Sequence, residues 1–238
     1  MFLDHLNFFP IYTKKIYRLR NGTNIETRAR TTDLGTLHTC FIGEENRVSE
    51  DMLGSSPVII DIGAHIGIFS VYACKKIPDS KVYSYEPFPD NYELLKRNIE
   101  INNLGGNIKA FNSAVFSKKG KKSLYFRKRY TAGCTLMKDT SHADSSAVTV
   151  NCTTVKDIFD SNKIKKCDLM KIDCEGADHI ILRSIPRQYF KRINMIHTEF
   201  HAQNEINAMK KVFDEMNFST EIKRFAGGYG NIYAKNMN

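Results

Sequence analysis

Three short segments carry side chains able to do chemistry, and each follows a run that reads as a β-strand. They are Asp61-Ile62-Gly63-Ala64-His65-Ile66-Gly67, Tyr85-Glu86-Pro87 and Lys171-Ile172-Asp173-Cys174-Glu175-Gly176. In the first, Gly63 permits a tight turn and lets a ligand approach bare backbone. Gly67 falls where the next helix packs on the strand, and a helix start offers free N–H groups and a positive dipole end. In the second, Glu86 is placed to accept hydrogen bonds from both hydroxyls of a ribose. It follows Asp61 by 25 residues, against roughly 20 in dinucleotide-binding folds. Taken singly, these are a strand-to-helix turn and a strand-end glutamate. Together they point to a nucleoside-bearing ligand.

The loop lacks the middle glycine of Gly-x-Gly-x-x-Gly, so the pyrophosphate cradle of NAD or FAD enzymes is incomplete. No Gly-x-x-x-x-Gly-Lys-Ser/Thr is present, which disfavours ATP or GTP hydrolysis. Asp61 at the loop entrance repels a pyrophosphate and suits a cationic ligand such as S-adenosylmethionine, with its sulfonium and ammonium groups. At this point Val58 to Gly67, Glu86-Pro87-Phe88-Pro89-Asp90-Asn91 and Leu169 to Asp178 are the relevant segments. On them the chain resembles the FkbM-type S-adenosylmethionine-dependent methyltransferases, the third segment most specifically. The resemblance runs from about Arg28 to Lys235 and takes in Arg28, Asp33 and Thr198-Glu199-Phe200-His201.

That resemblance implies a class I methyltransferase fold and methyl transfer to a hydroxyl on a sugar, glycolipid or secondary metabolite. It implies that Asp61, Gly63, Ala64 and Gly67 form the loop under the methionine part, and that Glu86 binds the ribose. Asn112 and Ser113, after the third strand, would lie near the adenine. Asp173 would face the sulfonium and the acceptor. Glu199 and His201 follow the fifth strand of the alternation, and either is a candidate general base for the acceptor hydroxyl. Asp173, Glu199 and His201 are also a conceivable ligand set for a divalent cation, although nothing else in the sequence supports a metal. Glu175 and Asp178 equally suit a helix N-terminus, and His65 and His197 read as packing or loop residues.

The elements that must hold these groups follow from periodicity. Lys14 to Arg20 and Asn24 to Arg30 read as a hairpin about Asn21-Gly22, with Thr32 or Asp33 capping a short helix towards Phe41. From Pro57 the pattern alternates. Strands are expected at Val58–Asp61, Lys81–Tyr85, Asn107–Asn112, Cys167–Ile172 and Ile193–Thr198. Helices are expected at Ile66–Lys76, Asp90–Asn103, Asp178–Ser184 and Glu205–Met216, the second with Tyr92, Leu95, Ile99 and Asn103 along one face. Ala114 to Val150 interrupts the alternation with extra strands and a mobile loop around Thr131 to Ser146. Thr220–Arg224 and Asn231–Ala234 close the chain around Gly227-Gly228-Tyr229-Gly230. This predicts an α/β, Rossmann-like fold: a mostly parallel sheet, helices on both faces, an antiparallel C-terminal edge and an N-terminal β-hairpin extension. The expected division is 1–56 for the extension and 57–238 for the cofactor-binding domain. Arg127 to Ser146 and the Gly227 to Gly230 loop are candidate lids or acceptor walls.

Composition sets the outer bounds. The 238 residues are 42% hydrophobic and 26% charged, ordinary for a globular protein and against disorder. The longest apolar stretch, Val58 to Cys74, is broken by Asp61 and His65. It falls short of the roughly 20 residues a membrane span needs. No basic region precedes an apolar run at the start, so no signal peptide is expected. Six cysteines without a Cys-x-x-Cys pair give no disulfide framework or zinc ribbon, and a cytoplasmic setting is the simplest reading. The net charge of +9 favours anionic partners, so an RNA methyltransferase is the runner-up. Against it, Asp173-Cys174-Glu175-Gly176 stands where base-amino methyltransferases carry Asn/Asp-Pro-Pro-Tyr/Phe, and the first 56 residues hold no separate RNA-binding module. A non-catalytic cofactor-binding protein on the same fold is the third reading. Oligomeric state is not legible in the sequence.

Overall fold

A computed structural model describes residues 9–43, 48–138, 146–225 and 227–238. The chain opens with β1 (Lys14–Arg18), β2 (Asn24–Arg28), α1 (Asp33–Phe41) and the single turn α2 (Glu50–Leu53). Then come β3 (Val58–Ile62), α3 (Ile68–Lys76), β4 (Lys81–Tyr85), α4 (Pro89–Ile101) and β5 (Ile108–Phe111). The interruption holds β6 (Ala114–Val115), β7 (Gly120–Arg127), β8 (Tyr130–Thr135) and β9 (Ser146–Thr153). It is followed by α5 (Val155–Ser161), β10 (Cys167–Ile172), α6 (Asp178–Ser184), α7 (Arg187–Phe190) and β11 (Ile193–Phe200). The chain closes with α8 (Gln203–Glu215), β12 (Phe218–Arg224) and β13 (Gly230–Asn236).

The seven-stranded sheet has the order β12-β13-β11-β10-β3-β4-β5. β3, β4, β5, β10 and β11 are parallel, and β13 runs antiparallel between β11 and the outermost strand β12. From β3 the chain winds outward through β4 and β5, then crosses to β10 and winds the other way. The switch in direction therefore lies between β3 and β10, where a crevice opens at the strands' carboxyl ends.

Alternation along the central strands splits the core in two. Ile59 and Leu169 pack on one side with residues of α1, α3 and α4, including Leu37, Val71 and Leu95. Ile60 and Met170 face the other side with α5, α6 and α8, including Phe159, Ile181 and Phe213. Both faces of these strands are covered, which is why they read as continuous apolar runs. Each fully buried Ile or Leu contributes about 1.5–3 kcal/mol.

The N-terminal hairpin shares the first core through Ile25, and α1 through Leu37 and Cys40. Asn98 of α4 makes the seam. Its Oδ1 accepts from the Glu26 N–H at 2.7 Å, and its Nδ2 donates to the Glu26 and Ile66 carbonyls at 3.1 and 2.8 Å. Asn102 repeats the device on Asn24, accepting at 3.0 Å and donating at 2.6 Å.

Several expectations are corrected. Arg18 pairs with Asn24, so residues 19–23 form a longer connection than a two-residue Asn-Gly turn. The buried face of α4 is Asn91, Leu94, Leu95, Asn98 and Ile99, whereas Asn103 is exposed beyond the helix. Its interior asparagines are buried because their amides satisfy backbone, which hydrophobic periodicity does not register. α5 was not expected, although Thr154 and Asp157 form a capping box at its start. The expected loop from Thr131 begins as a strand, because β8 extends to Thr135 and pairs with β7. Residues 139–145, with His142, lie outside the described residues.

Candidate active site

A cavity of about 850 Å³ lies over the carboxyl ends of β3, β4, β10 and β11. Its floor is the turn after β3. Gly63 has φ +82°, and a Cβ there would stand 1.8 Å from the Asp173 carbonyl oxygen. Only glycine lets the ends of β3 and β10 meet this closely. The N–H groups of Gly63 and Ala64 both donate to the Tyr85 carbonyl at 3.0 Å, which ties the turn to β4.

Glu86 lines the cavity at the end of β4 and is 4% exposed. Its Oε2 accepts from the His65 N–H at 2.8 Å, and its Oε1 accepts from the Phe88 N–H at 2.8 Å and from Asn91 Nδ2 at 3.4 Å. Burial pushes its pKa up to about 7, although these donors favour the ionised form.

Across the cavity the ends of β10 and β11 bring acids together. One carboxylate oxygen each from Asp173, Glu175 and Glu199 lies within 4.8 Å of the others. Lys171 is the counter-charge. Its Nζ is 2.8 Å from Asp173 Oδ2 and 3.9 Å from Asp61 Oδ1. Burial works against the lysine's charge, but the Asp173 and Asp61 carboxylates more than reverse it and keep it protonated. Burial likewise opposes ionisation of Asp173, yet the Lys171 charge and hydrogen bond, helped by Glu199, hold Asp173 below the usual carboxylate range. Glu175 and Glu199 go the other way, to about 8 and about 10, from burial first and then repulsion by Asp173. At neutral pH Glu199 thus holds a proton, which it donates to Asp173. Three oxygens so arranged are a donor set of the kind hard divalent cations take.

Beneath the turn lies a second polar system. Arg28 Nε donates to Asp33 Oδ2 at 2.8 Å, and Nη2 donates to Asp33 Oδ1 at 2.9 Å and Asn91 Oδ1 at 2.6 Å. His65 Nε2 is 3.1 Å from Asp33 Oδ1, and Thr131 Oγ1 donates to the same oxygen at 2.7 Å. Burial opposes ionisation of Asp33, but its bonds to His65 and Arg28 outweigh this and hold it well below the ordinary range. Segments around residues 28–33, 65, 91 and 131 are thereby joined under Glu86.

Of the expected site residues, Gly63, Ala64, Glu86, Asp173 and Glu199 line one cavity. The others stand behind it. Asp61 is fully buried, accepting from Ser70 Oγ at 2.6 Å and facing Lys171. It reaches the cavity through Lys171, not directly. Gly67 has φ +81°, and a Cβ there would stand 2.4 Å from Leu95 Cδ1; its absence lets α3 pack on α4. Asn112 braces the strand end by donating to the Glu86 and Pro87 carbonyls at 2.9 and 3.0 Å. Ser113 bonds the Ala114 and Asn151 carbonyls. The cavity wall there is Ala114 and Val115, one register further on. His201 sits outside the lining, with Nε2 3.4 Å from Glu199 Oε2 and 4.0 Å from Glu175 Oε2. In the convergent acid set Glu175 takes the place expected for His201.

Sequence reasoning gave no role to Lys171 or Arg30, placed Thr131 only within a candidate lid or acceptor wall, and read His65 as a packing or loop residue. The upstream Arg28 and Asp33 were the available signal. His197 does pack, stacked on Tyr233 at 4.5 Å between centroids, with burial lowering its pKa to about 4. Alternate residues of β8 and its extension, Tyr130, Ala132, Cys134 and Leu136, form one wall, and Tyr229 and Asn231 contribute another.

Comparison with known proteins fits this geometry. The family model described as the methyltransferase FkbM domain matches residues 61–221. Methyltransferase sdnD of Sordaria araneosa is 26% identical over 174 residues, covering 62% of this chain and 67% of the relative. The hexuronic acid methyltransferase AglP of Haloferax volcanii is 23% identical over 167 residues, covering 70% and 65%. Among solved structures, the delta-N METTL16 methyltransferase domain has the same fold at a TM-score of 0.51 and 12% identity, covering 86% of this chain and 82% of that one. A match that begins at the acid of the first parallel strand and ends in the outermost strand, laid over this sheet order, makes the chain a member of the FkbM methyltransferase family.

Proposed function

We propose that the protein takes its methyl group from S-adenosylmethionine and delivers it to a hydroxyl oxygen of a sugar, glycolipid or secondary metabolite. The observation that carries this reading is Glu86, buried yet lining the cavity, with both oxygens fixed by backbone N–H groups and the Asp173 cluster opposite. A carboxylate so held suits the ribose, and the bare turn at Gly63 leaves room for the donor's chain above it. The likeness to AglP, a hexuronic acid methyltransferase, supports a glycan among the acceptor classes.

The donor supplies a methyl group already activated on a sulfonium, so the protein's work is alignment and exclusion of water. Asp173, ionised against Lys171, accepts the hydrogen bond of the acceptor hydroxyl. As the oxygen becomes nucleophilic its proton passes to Asp173, the member of the cluster already ionised, and above about pH 8 Glu175 is ionised as well and can share that proton. His201 positions Glu199 and Glu175 from behind. Tyr130 and Tyr229 wall the acceptor side.

Mass spectrometry of glycans and metabolites from cells with and without the protein tests the reaction. A species heavier by one CH₂ only when the protein is present is expected, and its absence from both fractions while RNA gains methyl groups would overturn the acceptor class. Extensive chelation tests the cation: full activity afterwards removes a metal from the reaction.

A further inference from the structure

Among the described residues, three permanent cations line the cavity: Arg28, Lys171 and Arg30. Arg28 is occupied by Asp33 and Asn91, and Lys171 by Asp173 and Asp61. Arg30 differs. Its guanidinium makes no hydrogen bond or ion pair among the described residues, and its Nε is shut off from solvent. A guanidinium does not shed its proton, so the charge persists in a half-buried position. Buried donors without acceptors are rare in folded proteins and ask for an explanation. The backbone is also unusual, with φ +61° at Arg30, a region non-glycine residues seldom occupy and one that clusters at ligand sites.

We propose that Arg30 is the counter-ion for the α-carboxylate of S-adenosylmethionine. This rests on the donor assigned above and follows by matching charges. The ribose hydroxyls have Glu86. The sulfonium and ammonium have the acids at the ends of β10 and β11. The remaining charged group is a carboxylate, and Arg30 is the one permanent cation of the lining, among the described residues, that is not already paired. A fork of parallel N–H donors matches a carboxylate better than a point charge does. The N-terminal segment then supplies part of the donor site itself.

Calorimetry with two ligands tests it. S-adenosylhomocysteine carries the carboxylate, whereas 5′-methylthioadenosine keeps the nucleoside and thioether but lacks the amino-acid part. Arg30→Gln, and Arg30→Gly as a variant that tolerates the positive φ, are expected to weaken S-adenosylhomocysteine by about tenfold to a hundredfold, the range of one lost charge-assisted hydrogen bond. Binding of 5′-methylthioadenosine should stay unchanged. Equal weakening of both ligands would show a merely structural residue. Unchanged S-adenosylhomocysteine binding would send the charge elsewhere, such as to an acidic group on the acceptor. Either result overturns the proposal. The parent protein is the separate control, since failure to bind either ligand sinks the donor assignment itself.

Discussion

Glu86 is pulled two ways: burial raises its proton affinity while two backbone N–H groups favour the anion. With a pKa near 7, Glu86 is an anion above that value, the form the proposed ribose contact requires. Affinity for S-adenosylhomocysteine should therefore fall as pH drops below about 7, and Glu86→Ala should abolish it; calorimetry across pH reads both. Asp173→Asn should leave a folded protein that still binds the donor product but turns over about a hundredfold slower or worse, measured by methyl transfer. Because Glu175 must lose a proton before it can receive one, turnover should rise through a pH of about 8, and Glu175→Gln should flatten that limb. Gly63 and Glu86 were readable because strand ends and spacing fix where they must lie. Asn112 was not: its residue type suits a ligand contact and a brace equally, and only the hydrogen bonds to Glu86 and Pro87 decide. Arg30 gave no signal, because a guanidinium left unpaired among the described residues looks in sequence like any solvated arginine.

The strands and helices that carry the acids were legible to within a few residues, since burial on both faces writes unbroken apolar runs. Elements held by polar contacts were harder. β8 alternates small and polar residues, and β2 attaches to α4 through asparagine side chains rather than through strand pairing. Asn98 is the sharpest case, satisfying three backbone groups at once. Asn98→Leu should strand buried donors and acceptors and cost about 2 kcal/mol or more, seen as a lower Tm. Asn102→Leu should cost less, because its site is partly open. Equal tolerance of both changes would show that the apolar core alone holds the hairpin in place.

For the folded chain as a unit, the unevenly distributed carboxylates set a pH profile. Glu86, Glu175 and Asp178 have folded values of about 7, 8 and 8, above their ordinary values, so the native state binds more protons than the unfolded chain between roughly pH 4 and 8. Stability should rise as pH falls through that window. Asp33 has the opposite sign: depressed in the fold, it contributes stability above its ordinary value of 3.8, and that is lost on further acidification. Thermal unfolding from pH 9 down to 3 should thus show a maximum near pH 4, and Asp33→Asn should lessen the loss on the acid side. None of this was visible in the net charge of +9, which averages over surface lysines and buried acids alike. The mostly parallel sheet with its antiparallel C-terminal edge came through because alternation and the family motifs constrain it. The depth to which residues 9–43 share the first core did not, because Ile25 and Leu37 carry no mark of what they pack against.

The ion pair between Arg28 and Asp33 has a practical corollary for anyone dissecting the molecule. A fragment starting at residue 57 would keep the whole glycine turn and every acid of the cluster. It would lose the charge on which His65 leans, and with it an anchor of the turn whose peptide N–H steadies Glu86. Such a truncation should be judged as the removal of one side of the cavity, not the trimming of an appendage.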